Sequence, residues 1–451
     1  MGLIALYTVL LFAFTIFAVT SGFNYDQDTI RGVNLGGWLV LEPWITPSLF
    51  DNTGNSNIVD EYTFCLNQPI QNATDALWKH WDRWITEEDF KEIAEAGLNH
   101  VRLPIGYWAF DTSADEPYVM GQVVYLEKAV AWAGNHGLKV IIDLHGVPGS
   151  QNGFDNSGQK TSDPSWYRSQ LNVDRARAII QRLANTYKDS TVVTAISVMN
   201  ESPQNTRDPD GMLAVTRQYW YDTYQDVRHP TKGGGSQSNT MLVISDAFKG
   251  LGYWKDSNLL TLPDYEGVIV DIHRYQMFED EALRRTNDQH LDFACSQGAE
   301  LRNSTLWVVV GEWTPAATDC AKYLNSRNVD SRYSDQGYGD CARLTGSALL
   351  FDEGYKAFLA RHWEAQASTF EQYAKGWIQW TWKTEIADEW SYKAGLKYGW
   401  IKRIERSANS SYPNPQFCAN RVRATSSAPG RSPLYYAALI FLVIFVFCTF
   451  L

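Results

Sequence analysis

The chain is poor in the vocabulary of metal binding. Its 451 residues include 6 cysteines and 8 histidines. No two cysteines have CxxC spacing and no HExxH run occurs, which argues against zinc. Basic charge is also short: 39 Lys and Arg face 51 Asp and Glu, a formal net charge of −12. That deficit argues against nucleic acid and anionic membrane surfaces as partners, and suits an enzyme acting on a neutral substrate. The glycines of Gly32–Gly37 lack GxGxxG spacing. Trp38 and Glu42 follow where a phosphate-binding helix would open, so a nucleotide site is not expected. No low-complexity segment interrupts the body and no solenoid repeat is present. No cofactor or metal is expected. Aromatics, by contrast, are plentiful, with 18 Trp, 24 Tyr and 20 Phe. Most such rings fill cores, but their flat apolar faces also suit sugars.

The two ends differ from the body. Residues 1–22 are apolar to Val19 and close on Thr20-Ser21-Gly22, the layout of a cleaved secretory signal, although no Lys or Arg precedes the apolar run. A signal anchor is the rival reading. Leu6 stands where myristoylation needs Ser or Thr, which excludes that modification. Residues 425–451 begin with small polar residues and continue from Leu434 to Leu451 almost wholly apolar, without a basic tail. This is expected to be a GPI-attachment signal, with Ser426 or Ser427 as the attachment residue; a plain membrane anchor is the alternative. The expected address is the secretory pathway and then the cell surface or wall. Sequons at Asn72, Asn303 and Asn409 fit that route. The sequon at Asn200 precedes Pro203 and is expected to stay unused inside the fold. Cys448 lies in the tail; Cys65, Cys295, Cys320, Cys341 and Cys418 remain. In an oxidising compartment they allow up to two disulfides and a free thiol, and any four cysteines permit three pairings.

The body, residues 23–424, alternates strand-like runs with helical patterns. Eight runs read as strands: Thr29–Asn34, His100–Pro104, Leu138–Leu144, Val192–Met199, Met241–Ser245, Val268–His273, Leu306–Gly311 and Gly376–Trp380. Between them lie segments such as residues 87–96, with Thr86 as N-cap, acidic residues in the first turn and Gly97 as stop. Eight strand–helix units predict an α/β fold of the (β/α)8 TIM-barrel type. A doubly wound open sheet is the competitor, but it would gather its site at one switch point rather than place polar residues at most strand ends.

Two carboxylates stand out in that frame. Glu201 follows the fourth run and Glu312 follows the seventh. Functional residues of such barrels sit at the carboxyl ends of strands, and ends four and seven face each other across the mouth. A facing pair of acids is the equipment for breaking a glycosidic bond.

Seven segments then bear a specific resemblance: Arg31–Trp44, Val101–Trp108, Asp143–Asp155, Asn200–Pro203, His273–Phe278, Gly311–Trp313 and Trp380–Glu385. In this order, over about residues 25 to 420, the chain resembles glycoside hydrolase family 5, and within it the fungal-type exo-β-1,3-glucanases. The resemblance implies a retaining enzyme with Glu312 as nucleophile and Glu201 as acid/base. It implies that Asn200 holds the sugar 2-hydroxyl, that Arg102 and Tyr275 keep Glu312 ionised, and that His145 and His273 bond the sugar or the acids. Trp382 would floor the innermost subsite, Phe154 and Phe278 would clamp the next sugar, and Glu42 and Asp155 would bind terminal hydroxyls. Pairings Cys295–Cys418 and Cys320–Cys341 are implied, leaving Cys65 free. The expected partner is β-glucan, the expected state a monomer, and the expected role cell-wall glucan trimming with transfer to another sugar as a side reaction. A β-1,6-specific or endo-acting enzyme keeps the same chemistry. A catalytically silent glucan-binding wall protein is the alternative from another class.

Overall fold

The structure is a computed structural model that describes residues 22–202, 206–231, 237–405, 411–419 and 421. Eight parallel strands close into a barrel in chain order. They are β1 (Ile30–Asn34), β2 (His100–Gly106), β3 (Lys139–Gly146), β4 (Val193–Ser197), β5 (Met241–Ser245), β6 (Val268–Arg274), β7 (Trp307–Trp313) and β8 (Gly376–Gln379). Each lies within about two residues of its predicted run. The (β/α)8 expectation holds, and closure of β1 on β8 rules out the open sheet.

Alternation along each strand divides the side chains into two sets. Outward residues such as Val101, Leu103, Val140, Ile142, Val270 and Val310 join the large core between sheet and helices. Inward residues form layers. The lower layer is apolar, with Ile30, Ile141, Ala195, Met241, Val243, Ile269, Val309 and Ile378. Tyr25 plugs it from beneath and donates to Thr194 Oγ1 at 2.8 Å. Above it the inward side chains turn polar: Asn34, Arg102, Asp143 and Asp271, all buried. The apolar floor removes water, so this layer works in a low dielectric.

The helices are capped as their sequences dictate. Helix Glu87–Glu95 starts after Thr86, whose N–H donates to Asp89 at 3.0 Å, and its three acidic residues lie in the first turn. It ends before Gly97, whose φ of +90° a β-carbon would strain. Two disulfides, Cys295–Cys418 and Cys320–Cys341, match the pairing implied by resemblance. Cys65 is free and buried. The first disulfide ties the last described segment to helix Asn287–Ser296. Asn72 and Asn303 are exposed. Asn409, residues 1–21 and the 425–451 tail lie outside the described residues. Among the described residues no helix is long and apolar enough to cross a membrane.

One irregularity matters for the site. Val309 faces inward, so alternation makes Gly311 inward and Glu312 outward. The β6–β7 register slips between Ile272 and His273, and His273 then pairs with Glu312. Both Gly311 and Glu312 therefore face inward, the re-aiming that a bulge provides. Gly311 gives its N–H to Asp271 Oδ1 at 2.8 Å, and a β-carbon there would collide with that carboxylate. Gly311→Ala is expected to cost about 1–3 kcal/mol or more and to displace Glu312. Thermal melts with activity assays check this; an unchanged melt and rate would refute the close approach.

Candidate active site

The site is built on Arg102, an inward β2 side chain that is 1% exposed. Its Nη1 donates to Glu312 Oε1 at 2.8 Å and to Asn34 Oδ1 at 3.0 Å. Its Nη2 donates to Asn200 Oδ1 at 2.8 Å and lies 3.2 Å from Asp143 Oδ2. Nε stands 3.6 Å from Asp271 Oδ2. One guanidinium thus serves three carboxylates from three strands. Burial alone would raise the Asp143 pKa; Arg102 and then His145 outweigh it and hold Asp143 below the usual carboxylate range.

His145, the inward residue two beyond Asp143 on β3, meets Asp143 Oδ2 through Nδ1 at 2.6 Å. Its Nε2 lies 3.3 Å from Asn200 Nδ2. Because Arg102 donates to Asn200 Oδ1, the Asn200 amide has one sensible orientation, with its NH2 toward His145 and the cavity. Gln151 locks the backbone here, donating to His145 O at 2.8 Å and to Asn200 O at 2.9 Å.

Glu201 comes next, with a backbone φ of +39°. A non-glycine residue in the left-handed region carries strain of order 1–3 kcal/mol, held by its surroundings. Its Oε1 accepts from His273 Nδ1 at 2.8 Å and its Oε2 from Asn156 Nδ2 at 3.1 Å. The same Nδ1 is 3.3 Å from Glu312 Oε2. Tyr275 donates its hydroxyl to Glu312 Oε2 at 2.9 Å. Glu201, His273 and Glu312 each bring one polar atom within 4.8 Å of the others.

The electrostatics follow from burial and neighbours. Burial disfavours a charged His273, but Glu312, Asp271 and Glu201 outweigh it and hold the ring well above its ordinary pKa. Burial raises Glu201, but the hydrogen bond and charge of His273, with Asn156, bring it below the usual range. Burial leaves Glu312 above the usual range despite His273 and Arg102. Burial, then the charges of Glu312 and Glu201, hold the Tyr275 phenol well above its ordinary value, so it remains a donor. The proton on His273 is one short hydrogen bond from Glu201. The three groups therefore titrate as a unit.

An oxygen of Glu201 within 4.8 Å of one of Glu312 is compatible with the close pair of a retaining glycosidase, whose two carboxyl groups lie about 5–5.5 Å apart. The sequence profile of the cellulase family, glycosyl hydrolase family 5, matches residues 61–335. This chain belongs to glycosyl hydrolase family 5. It is similar to the probable glucan 1,3-beta-glucosidase A of Aspergillus fumigatus, 41% identical over 404 residues that cover 88% of this chain and 89% of that protein. The glucan 1,3-beta-glucosidase of Blumeria graminis is 41% identical over 392 residues, covering 84% and 88%. Among solved structures, the rutinosidase from Aspergillus niger has the same fold, with a TM-score of 0.67 at 18% identity, over 85% of this chain and all of that one.

The sugar-facing expectations for this family 5 hydrolase meet the structure unevenly. Glu42 is buried; its Oε2 accepts from Trp44 Nε1 at 3.0 Å, while Oε1 has no partner among the described residues. Burial and the charge of Glu312 hold it well above the carboxylate range. Such an unpaired buried oxygen is free to meet a ligand hydroxyl. Burial also pushes Asp155 up to about 6. Phe154 and Phe278 are among the exposed large apolar residues, as entrance platforms must be.

Trp382 is a correction. It is 1% exposed, part of the main core, and its Nε1 donates to Asp89 Oδ1 at 2.9 Å. It cannot floor a sugar site. The chain leaves the barrel after Gln379, and the Trp382 N–H bonds Asn34 O at 3.0 Å, which draws the indole behind the barrel wall. The ring that lies against the site is Trp380, stacked on His145 with centroids 5.5 Å apart and planes at 19°. Gly36 makes room for it, since a β-carbon there would lie 2.9 Å from Trp380.

Other residues escaped the sequence reading. Asn156 touches Glu201, yet nothing but its place two residues after Phe154 hinted at it. A small cleft beside Glu201 and His273 is also lined by Ser245, Asp246, Ala247 and Phe248 from the end of β5. Asp246 directly follows the fifth strand-like run, so the carboxylate-after-strand pattern was present there as well and went unused.

Arg102→Met should destabilise the fold by about 3–5 kcal/mol, because it leaves three buried carboxylates without their cation. Denaturant unfolding at pH 7 measures this, and a loss below 1 kcal/mol would show that the acids do not depend on Arg102.

Proposed function

We propose that this glycoside hydrolase is a retaining exo-β-1,3-glucosidase that releases glucose from the non-reducing end of β-1,3-glucan. The observation that carries the reading is the Glu201–Glu312 pair, with oxygens within 4.8 Å, in a chain 41% identical to glucan 1,3-beta-glucosidases.

Each side chain then has a task. Glu312 attacks the anomeric carbon and forms a glycosyl ester as the glycosidic C–O bond breaks. Arg102 holds one of its oxygens and Tyr275 the other, which fixes the carboxylate plane before attack. Glu201 protonates the departing oxygen, drawing on the proton it shares with His273, and later takes a proton from the incoming water. The hydroxyl of a second sugar can replace that water, giving transfer in place of hydrolysis. The Asn200 amide, fixed by Arg102, holds the 2-hydroxyl. Trp380 floors the first sugar, and Phe154 and Phe278 flank the second.

Exo action is supported by the walls. Loops after β1, β6, β7 and β8 share their own apolar cluster, with Trp44, Ile45, Met277, Ala316, Trp380 and Trp390. Such a packed rim, with Glu42 inside it, favours a closed pocket over a through-running groove. The chain is read as a monomer bound to the cell surface through a C-terminal GPI anchor after secretion, with glucan trimming or remodelling as its role.

Digestion of laminarin should release glucose as the sole early product, with pustulan cut poorly. A 2-fluoro glucosyl inactivator should label Glu312. Early oligosaccharides would favour an endo enzyme, faster cleavage of pustulan a β-1,6 enzyme, and laminarin binding without turnover a silent wall protein. Phosphatidylinositol-specific phospholipase should free the activity from intact cells; retention after treatment would favour a membrane-spanning tail.

A further inference from the structure

Glu201 stands at the end of a chain of amides. The backbone N–H of Phe154 donates to Asn152 Oδ1 at 2.9 Å. Asn152 Nδ2 meets Asn156 Oδ1 at 3.1 Å, and Asn156 Nδ2 meets Glu201 Oε2 at 3.1 Å. A side-chain amide is nearly symmetric in shape but not in polarity, so its direction must come from its neighbours. Here both ends are unambiguous. A backbone N–H can only donate, and an ionised carboxylate can only accept. The direction of both amides between them follows.

Asn152 is built in rather than incidental. It is 2% exposed, and the next residue, Gly153, donates its N–H to Ser150 Oγ at 2.8 Å. Ser150 Oγ in turn meets Ser157 Oγ at 2.7 Å, which closes the loop on itself. The loop is also tied to helix Glu61–Leu66 and its N-cap: Lys160 N–H donates to Asp60 at 2.6 Å and Tyr62 N–H to Gly158 O at 2.8 Å. A rigid loop is what an orienting residue needs, since a mobile one would let Asn156 turn over.

We propose that Asn152 is a positioning residue, which orients the Asn156 amide so that an N–H and not a carbonyl faces Glu201. It makes no hydrogen bond to either carboxylate of the pair, and none of the family segments assigned it a role. The proposal rests on Glu201 being the acid/base. With the N–H toward Glu201 the carboxylate is favoured; with the carbonyl toward it only the protonated acid is tolerated. The other titratable groups facing Glu201 are His145 from β3, Asp246 beyond β5, Asp271, His273 and Tyr275 from and beyond β6, and Glu312 from β7, with Glu42 across the site. None of them is hydrogen-bonded to Asn152, whose partners are Phe154 and Asn156.

Asn152→Asp tests this with little change of shape. The new side chain still accepts from Phe154, but it now offers oxygen to Asn156. That draws the Asn156 NH2 away from Glu201 and turns the carbonyl toward it. The basic limb of kcat/KM, where the shared proton is lost, should move up by about 1 pH unit, while the acid limb stays within about 0.2 unit. The new charge could act through space, so the double variant Asn152→Asp/Asn156→Ala decides the route. If the relay runs through Asn156, its basic limb matches that of Asn156→Ala alone; an equal further shift in both backgrounds overturns the proposal. Asn152→Ala, which removes the donor to Asn156 together with the acceptor of the Phe154 N–H, gives a smaller upward shift with the same dependence on Asn156, and serves if the aspartate variant melts early. A basic limb unmoved in both single variants also overturns it. Glu201→Gln runs alongside: it should spare a dinitrophenyl β-glucoside and lose laminarin. If it does so while the Asn152 variants are silent, the relay alone fails; if Glu201→Gln shows no such contrast, the assignment of Glu201 fails and the relay with it.

Discussion

One buried cation governs the mouth of this barrel. Arg102 faces Asp143, Asp271 and Glu312 at once, under 4 Å from each and out of reach of solvent. Buried ions are costly, and a pair is held only when geometry and further hydrogen bonds offset the loss of water. Here five other strands contribute to that balance. β1 supplies Asn34, β3 supplies Asp143, β4 leads into Asn200, β6 supplies Asp271 and β7 supplies Glu312. The arrangement fixes strand register as well as charge. Asp271 holds the Gly311 N–H, and that contact sits at the slip in register that turns Glu312 inward.

The cation also explains how two acids can share a pocket without both being protonated. Arg102 satisfies one side of Glu312, and His273 stands between Glu312 and Glu201. The charge count of the trio is then set by a single proton. Placed on the imidazole it leaves both acids ionised; passed along the 2.8 Å hydrogen bond to Glu201 it leaves a neutral ring, a protonated Glu201 and an ionised Glu312. No proton need enter from solvent between those two states. A neutral sugar that displaces water lowers the local dielectric, and separated charges become costlier there. Substrate entry therefore favours the tautomer that the first step requires.

Much of this could be read from the chain. Strand-like runs of five to eight residues marked all eight strands, most of them apolar along nearly their whole length, as a parallel strand buried on both faces tends to be. Position just after such a run marked Glu201 and Glu312, whereas Arg102, His145, Asn200, His273 and Tyr275 were legible only through the resemblance to family 5 segments, and Asp143 lay in one of those segments without a role. What stayed hidden depends on small departures from regularity. Simple alternation puts Glu312 on the wrong face, and only the register slip corrects it. Trp380 and Trp382 share a parity, so alternation cannot separate them; the turn after Gln379 does, by sending the second ring to Asp89. Asn152 and Asn156 lie in a loop with no period at all, where a glutamate partner 45 residues away leaves no local trace.

The contrast between the two ends of the barrel follows from the same economy of charge. Beneath Arg102 the interior is aliphatic and needs only shape, which many sequences can supply. Above it, polar groups near the acids have partners whose own positions depend on a third, as Asn200 depends on Arg102 and Asn156 on Asn152. Such a chain of dependence has no slack. A single amide turned over changes what faces Glu201, although no atom of the barrel moves. The chemistry is thus held not by the two carboxylates alone but by the direction of the hydrogen bonds that reach them, and direction is a property that the fold must impose from outside the pocket.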